Sequence, residues 1–146
     1  MSGVSKAEQV LLALFECLRL AMPAGTTVVR NAAVPQAVPR QGWVCLRDGD
    51  PGPPEVMMSP LTFVYEHAAE VDIVVEATAA TRDALFDQLK VAVGLALAID
   101  RTLGGLCDFV IGEAPEPVAL LVEGGSPLKA ATVGVVLTYA TSDPLV

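Results

Sequence analysis

The sequence has little of what most enzymes and metalloproteins use for chemistry. Its 146 residues include one histidine, His67, and three cysteines, and aromatic residues make up only 5%. Catalysis that needs a pair of histidines, or a histidine-rich metal site, is therefore excluded. The cysteines are odd in number, widely spaced and without a CxxC pair, which argues against a disulfide framework and a zinc site. We expect Cys17, Cys45 and Cys107 to be reduced cytosolic thiols in apolar surroundings.

Positive charge is also scarce. Nine basic residues stand against seventeen acidic ones, so the net charge is −8, and the basic residues form no cluster. Such a chain is expected to repel nucleic acid and anionic membranes rather than bind them. The longest apolar stretch, Val91 to Ile99, is far shorter than the ~20 residues that span a bilayer. Glu8, Glu16 and Arg19 interrupt the apolar N-terminal segment, which predicts an amphipathic helix rather than an export signal.

Hydrophobic residues, by contrast, make up 53% of the chain, more than a small isolated domain needs. We therefore expect part of this apolar surface to lie in an interface. Hydrophobic periodicity predicts one α+β domain over residues 1–146, with a mainly antiparallel sheet and two helices packed on it. The predicted order is α-β-β-β-α-β-β-β, with helices at 5–22 and from Thr81, and strands at 26–30, 42–47, 61–78, 106–111, 118–123 and 128–141.

The clearest pattern is the alternation from Leu61 to Thr78. Apolar residues and His67 occupy the odd positions, and polar residues occupy most even positions, which predicts one long strand with one buried face. Four carboxylates share the polar face: Glu66, Glu70, Asp72 and Glu76. We expect a solvated face; a repulsive acidic lining, and a metal or acid–base site, are the alternatives. A straight strand does not converge ligands on an ion, which disfavours the metal site.

The segment before this strand is rich in aspartate, glycine and proline. It is predicted to be a surface loop from Asp48 to Pro60, because these residues disfavour helix and strand. Met57 and Met58 lie inside it, and they either form an adaptable contact surface or fold back onto the core.

Two local patterns concern the helices. Ser5 to Glu8 form a capping box, in which each side chain satisfies the other residue's amide. Thr81 is expected to cap the second helix. Almost no polar residue follows Lys90 in that helix, which predicts burial on more than one side, either under the sheet or against a neighbouring subunit.

No constellation of catalytic residues is visible. His67 lies on the apolar face of its strand, and there is no G-x-S-x-G motif around a serine. We expect a core or interface histidine bonded to a backbone carbonyl. The residues alone therefore predict no catalytic residue, no cofactor and no metal site.

Taken together, the element order and three segments resemble the tail terminator proteins of long-tailed bacteriophages and prophages. These segments are the strand Phe63 to Glu76 that leads into the apolar helix, the run Asp100 to Leu106 that ends the helix, and the stretch Tyr139 to Leu145. The resemblance covers nearly the whole chain, although its motifs are structural rather than catalytic.

The resemblance implies a structural protein rather than an enzyme. Tail terminators cap the tail tube as a ring, usually of six subunits, stop its polymerisation and provide the surface that joins the head. The implied partners are copies of the chain, the tail-tube protein and a head-completion protein, and DNA passes through without specific binding. The implied location is the host cytoplasm during assembly and then the tail of the particle, with no membrane association.

Two hypotheses and two alternatives follow from the resemblance. Glu66, Glu70, Asp72 and Glu76 are expected to help line the lumen of the ring. The predicted loop, with Asp48, Asp50, Glu55, Met57 and Met58, is expected to order on contact during assembly. The alternatives are another tail, connector or head-completion protein, and a small oligomeric enzyme such as an acyl transferase. The enzyme's site would lie between subunits and would draw on His67, Cys107 or the acidic strand.

Overall fold

The predicted fold class is confirmed by the computed structural model, which describes residues 3–76, 79–120 and 128–146. Two helices and a mainly antiparallel sheet follow in the predicted order, with one strand more than predicted before the second helix. The elements are α1 Lys6–Ala21, β1 Thr27–Arg30, β2 Trp43–Asp50, β3 Glu55–Met58, β4 Leu61–Glu76, α2 Ala79–Ile99, β5 Phe109–Gly112, β6 Val118–Leu120 and β7 Leu128–Thr141.

Strand β4 lies at the centre of the sheet. One edge of β4 pairs with β7 from Phe63 to Glu76, and the other edge pairs first with β3 and then with β2. The far edge of β7 likewise pairs with β5 and β6 in succession. All these pairings are antiparallel, whereas β1 runs parallel to β2. The path across the sheet from β3 through β4 and β7 to β5 therefore contains four strands.

The alternation of β4 decides which face of the sheet is buried. Its odd-numbered residues from Tyr65 to Val75 are all buried, as the sequence predicted, and no register slip interrupts the strand. Both helices pack on this side, which we call the helix-covered face. Its fully buried residues include Leu14 and Leu18 of α1, Leu89 of α2 and Leu137 of β7, each worth roughly 1.5–3 kcal/mol in apolar transfer free energy.

Helix α1 begins as predicted but uses its first-turn carboxylate differently. The Ser5 hydroxyl accepts a hydrogen bond from the Glu8 amide at 3.2 Å. The reciprocal half of the predicted capping box is wrong, because the Glu8 carboxylate accepts two hydrogen bonds from Arg30 of β1, both at 2.8 Å. Arg30 also bonds the Asp48 carboxylate at 2.9 Å. The ion pairs thus tie the first turn of α1 to β1 and β2.

Helix α2 starts earlier than predicted and is covered on fewer sides. It begins at Ala79, so Thr81 lies inside the helix and the predicted cap at Thr81 is wrong. Alanine has the highest helix propensity, which favours a helix that already includes Ala79 and Ala80. Val91, Leu95 and Ile99 are 47%, 63% and 78% exposed on the outer side. Burial on more than one side within this chain is therefore wrong, and the expected contact with a neighbour stays a prediction.

The opposite face of the sheet is covered at one end by a second group of packed residues. Trp43 and Cys45 of β2 and Val74 of β4 form a small second core there. Val29, Ala32 and Val38, from β1 and the irregular segment after it, pack against this core. Among residues 3–76, 79–120 and 128–146, no helix packs on the rest of this face.

Candidate functional site

The uncovered part of the sheet, which we call the open face, combines acidic and apolar side chains. Register partners project on the same side of a sheet, so these residues share one surface. They are Glu66, Ala68 and Glu70 of β4, Thr132, Gly134, Val136 and Thr138 of β7, and Phe109 and Ile111 of β5. Phe109 and Ile111 are 46% and 45% exposed. The open face is thus neither a hydrophobic core nor a purely charged surface.

The four predicted lining carboxylates have different surroundings. Glu66 and Glu70 are exposed, whereas Asp72 and Glu76 are half-buried. The Asp72 carboxylate accepts hydrogen bonds from Arg47 Nε at 2.6 Å and from the Thr132 hydroxyl at 2.7 Å. The Asp72 carboxylate is therefore already hydrogen-bonded by two donors of the same chain, and the charge of Arg47 offsets most of its own charge.

Arg47 shares its charge between two of these carboxylates. The hydrogen bond to Asp72 is the main cause that raises the pKa of the Arg47 guanidinium, and the nearby Glu70 carboxylate adds to it. Arg47 lies on β2 directly opposite Glu70. The sequence pattern missed this pairing because it depends on the register between two strands, which periodicity along one strand does not give.

A further carboxylate reaches the open face from outside β4. A side-chain carbon placed on Gly134 would lie 2.6 Å from a carboxylate oxygen of Glu113, so Glu113 lies across the backbone of β7 at this glycine. Gly134 is the register partner of Glu70. Glu113 and Glu116 also line a groove of about 730 Å³, in which Asp72 is the third charged group. The open face is therefore more acidic than β4 alone predicts.

The acidic residues do not form a metal site within the described parts of the chain. Among them, no group of three or more histidine, cysteine, aspartate or glutamate side chains is arranged to hold a metal ion. In the same residues, no helix is long and apolar enough to cross a membrane.

The predicted loop conformation is wrong for most of residues 48–60, because strands β2 and β3 occupy this segment, and its role in assembly stays a prediction. Strand β2 continues to Asp50, and β3 pairs with Leu61 to Val64 of β4, so that only residues 51–54 separate the two strands. The long β4 offers a free edge at this level, and pairing with that edge outweighs the turn-forming composition of the segment. We call the hairpin of residues 55–64 the arm.

The arm carries apolar side chains that nothing in the described chain covers. All four β3 residues are exposed, with Met57 and Met58 at 49% and 75%, so the alternative in which these methionines fold back onto the core is wrong. Val56 and Leu61 are each 47% exposed. A contiguous group of exposed apolar residues on one hairpin is typical of an interaction surface.

The two aspartates of the predicted loop have local structural roles. The Asp48 side chain pairs with Arg30, and Asp50 accepts a hydrogen bond from the Gly52 amide at 2.8 Å. Between them, the β2–β4 register is interrupted at a bulge. Gly49 has φ +69°, and a Cβ at this position would lie 1.9 Å from the carbonyl oxygen of Ala68. Only glycine fits here.

The bulge directs a backbone carbonyl towards the single histidine. His67 is 3% exposed, and its Nε2 lies 2.5 Å from the Asp48 carbonyl oxygen, so the predicted core histidine bonded to a backbone carbonyl is confirmed. Nδ1 lies 2.8 Å from the Tyr139 hydroxyl. The carbonyl can only accept, which makes Nε2 the donor and Nδ1 the acceptor of the Tyr139 proton. Burial raises the pKa of Tyr139 to about 12.

His67 and Cys107, on which the enzyme alternative would draw, are both buried. Both ring nitrogens of His67 have intramolecular partners. All three cysteines are free, and Cys45 and Cys107 are buried. Burial raises the pKa of the Cys107 thiol to about 11, so it is protonated at neutral pH and a poor nucleophile.

No family model matches the chain, and no curated protein matches it.

Proposed function

We propose that the chain is a structural subunit of a phage-type tail, copies of which close into a ring, cap the tail tube and stop its growth. The segments that resemble tail terminators motivate this function. The observation that carries it is a pair of separate apolar surfaces, the arm and the outer side of α2 at Val91, Leu95 and Ile99. A ring needs two different surfaces on each subunit, because its interfaces are heterologous.

The open face fits the inner wall of such a ring. DNA is a dense line of phosphates, and a wall that carries carboxylates repels it and lets it slide without sticking. Glu66 and Glu70 are the exposed carboxylates of β4, and Glu113 adds a third. Asp72 contributes less because Arg47 neutralises it. Glu76 is half-buried near the end of β4.

A capping assay tests the function. The tail-tube protein encoded beside this gene is polymerised with and without the purified chain, and tube lengths are measured by negative-stain microscopy. We expect shorter tubes with a disc at one end. Unchanged tubes without bound protein would refute capping. Tubes made of the chain itself would instead identify a tube subunit, because a terminator stops at one ring.

The lining is tested by charge reversal. Glu66→Lys with Glu70→Lys is expected to impair DNA passage and lower particle infectivity, while rings still form. Glu16→Lys with Asp87→Lys is the matched control, because both residues are exposed on the helices and the change in net charge is the same. Equal infectivity of the two variants would refute the hypothesis that Glu66 and Glu70 line the lumen of the ring.

A further inference from the structure

The edge strand β5 has a groove beside it that nothing in the described chain fills. This groove, about 410 Å³ in volume, lies between α2 and β5. Its apolar lining includes Val93, Leu97, Ile111 and Val133, and Gly94 leaves space on the helix side. Lys90 and Arg101 are its positively charged residues, and Glu113 also lines it. The groove is therefore an apolar slot with charges of both signs at its margin.

The outer edge of β5 has unused backbone groups. No backbone hydrogen bond to a described residue is made on the side of β5 away from β7. Arg101 Nη1 donates to the Val110 carbonyl at 3.0 Å, in the position that the N–H of an added strand would take. A free strand edge beside an apolar slot favours an extended, apolar occupant that pairs by its backbone.

The arm has the complementary properties. Its strand β3 lies at an edge of the sheet, and it carries exposed apolar side chains. We infer that β3 of one copy adds to the β5 edge of the next copy, with the arm seated in the groove between α2 and β5. This contact makes the groove, beside the exposed outer side of α2, the surface that receives the arm, and its closure into a ring rests on the proposed function.

Strand direction is consistent with this contact. Strand β3 runs antiparallel to β4, β4 to β7, and β7 to β5. Strand β3 is therefore antiparallel to β5 within one copy. Because neighbouring copies in a ring face the same way, β3 beside the next copy's β5 is antiparallel too, which is the more stable arrangement.

The stagger between the two edges agrees with a closed barrel. Strand β3 lies opposite β4 residues 61–64, whereas β5, through β7, lies level with β4 residues 66–69. When the two edges pair, the next copy is shifted along the strand direction by about five residues, roughly 17 Å. This shift occurs over four strand spacings of about 4.8 Å each, three within a copy from β3 to β5 and one between copies. The resulting strand tilt of about 40° falls within the range of roughly 35–45° typical of β-barrels.

The direction of pairing also places the side chains of β3. Leu97 of α2 lies beside Gly112, and Arg101 bonds Val110, so α2 runs antiparallel to β5. An antiparallel β3 brings Met58 towards Arg101. Val56 and Met58 are the register partners of Phe63 and Leu61, so they lie on the helix-covered side and fill the groove, whereas Glu55 and Met57 lie on the side of the open face.

Cross-linking with a short bis-maleimide tests the contact. Met57→Cys and Ile111→Cys are combined in a chain that also carries Cys17→Ser, since Cys45 and Cys107 are buried. We expect a ladder of covalent oligomers, and only dimers when the two single-cysteine chains are mixed. Met57→Cys with Leu20→Cys is the control, because Leu20 is 72% exposed on α1. Equal yields from the two pairs would overturn the inference.

Substitutions in β3 supply the second measurement. Val56→Asp with Met58→Asp places two carboxylates in the apolar groove and is expected to abolish the cross-linked ladder. Glu55→Gln, on the other side of the same strand, is the control and is expected to keep it. An unchanged ladder from Val56→Asp with Met58→Asp would refute the seating of the arm in the groove. A ladder from a chain that does not cap tubes would leave the contact standing and refute the proposed function. Normal capping by Met57→Asp with Met58→Asp would refute the contact alone.

Discussion

The two faces of the sheet are built from the same strands and behave in opposite ways. On β4, Val71, Ile73 and Val75 are fully buried beneath the helices, whereas Glu66 and Glu70, on alternate positions, face outwards without a covering element. One strand thus supplies both a core and a surface because successive side chains point to opposite sides. The helix-covered face holds the fold together, and the open face is available for function.

The largest expected difference between the faces is in stability. Ile73→Ala removes a fully buried side chain from the helix-covered face and is expected to lower the free energy of unfolding by about 2–5 kcal/mol. Glu70→Ala, on the open face of the same strand, is expected to change it by less than about 0.5 kcal/mol. Chemical denaturation followed by circular dichroism measures both. Similar losses would mean that the open face is also part of the core.

The bulge at Gly49 is the next largest effect. Gly49→Ala places a methyl group against the Ala68 carbonyl, while Gly52→Ala, at the same positive φ, meets no atom within 4 Å. The left-handed conformation costs roughly 1–2 kcal/mol in both variants. We expect Gly49→Ala to lose at least about 2 kcal/mol more, because backbone must move. Equal losses in denaturation would show that the bulge yields without strain.

The buried bond between His67 and Tyr139 comes third. Tyr139→Phe leaves the Nδ1 acceptor of His67 without a donor, and we expect a loss of about 1–3 kcal/mol. Tyr65→Phe is the control, because Tyr65 packs 5.8 Å from Tyr139 between ring centroids and its hydroxyl does not bond His67. The difference between the two variants in urea denaturation isolates the hydrogen bond. No difference would mean that another donor takes its place.

The smallest effect concerns pH. Hydrogen bonds from Arg30 hold the pKa of Glu8 in the folded protein below its ordinary value of 4.5. The Glu8–Arg30 ion pair therefore stabilises the fold fully above pH 4.5, and this stabilisation is lost as the pH falls through the lowered pKa of Glu8. Glu8 is 41% exposed, so solvent limits the contribution to under about 1 kcal/mol. Glu8→Gln is expected to flatten the loss of stability below pH 4.5, and Glu55→Gln is not. Identical acid profiles of Glu8→Gln and the unmodified chain would contradict this.

Sequence periodicity predicted the parts of the fold that depend on local pattern. The 16-residue β4, strand β7 and helix α1 follow their hydrophobic repeats, and the alternation placed His67 inside. Strand β3 was missed because its neighbouring aspartates, glycines and prolines indicate a loop. Its strand conformation comes from the β4 edge beside it, which is a tertiary effect that overrides local propensity.

The candidate site depended more on contacts between distant residues. The four carboxylates of β4 were visible in the sequence, but the Arg47–Asp72 pair and the approach of Glu113 to Gly134 depend on register and on a loop path. The partner carbonyl of His67 required the bulge, which one glycine makes possible. The exposure of Met57 and Met58 results from the pairing of β3 with the edge of β4, which the sequence pattern does not show.

The pairing of β4 with β7 has a consequence for how the chain folds. Its closest pair, Glu76 with Leu128, is 52 residues apart in sequence, and its widest, Phe63 with Thr141, is 78 apart. Loop-closure entropy must be overcome before these contacts stabilise anything, so we expect slow folding compared with helical proteins of this size. During translation, β4 emerges well before β7, and its unpaired edge is open to intermolecular aggregation in that interval.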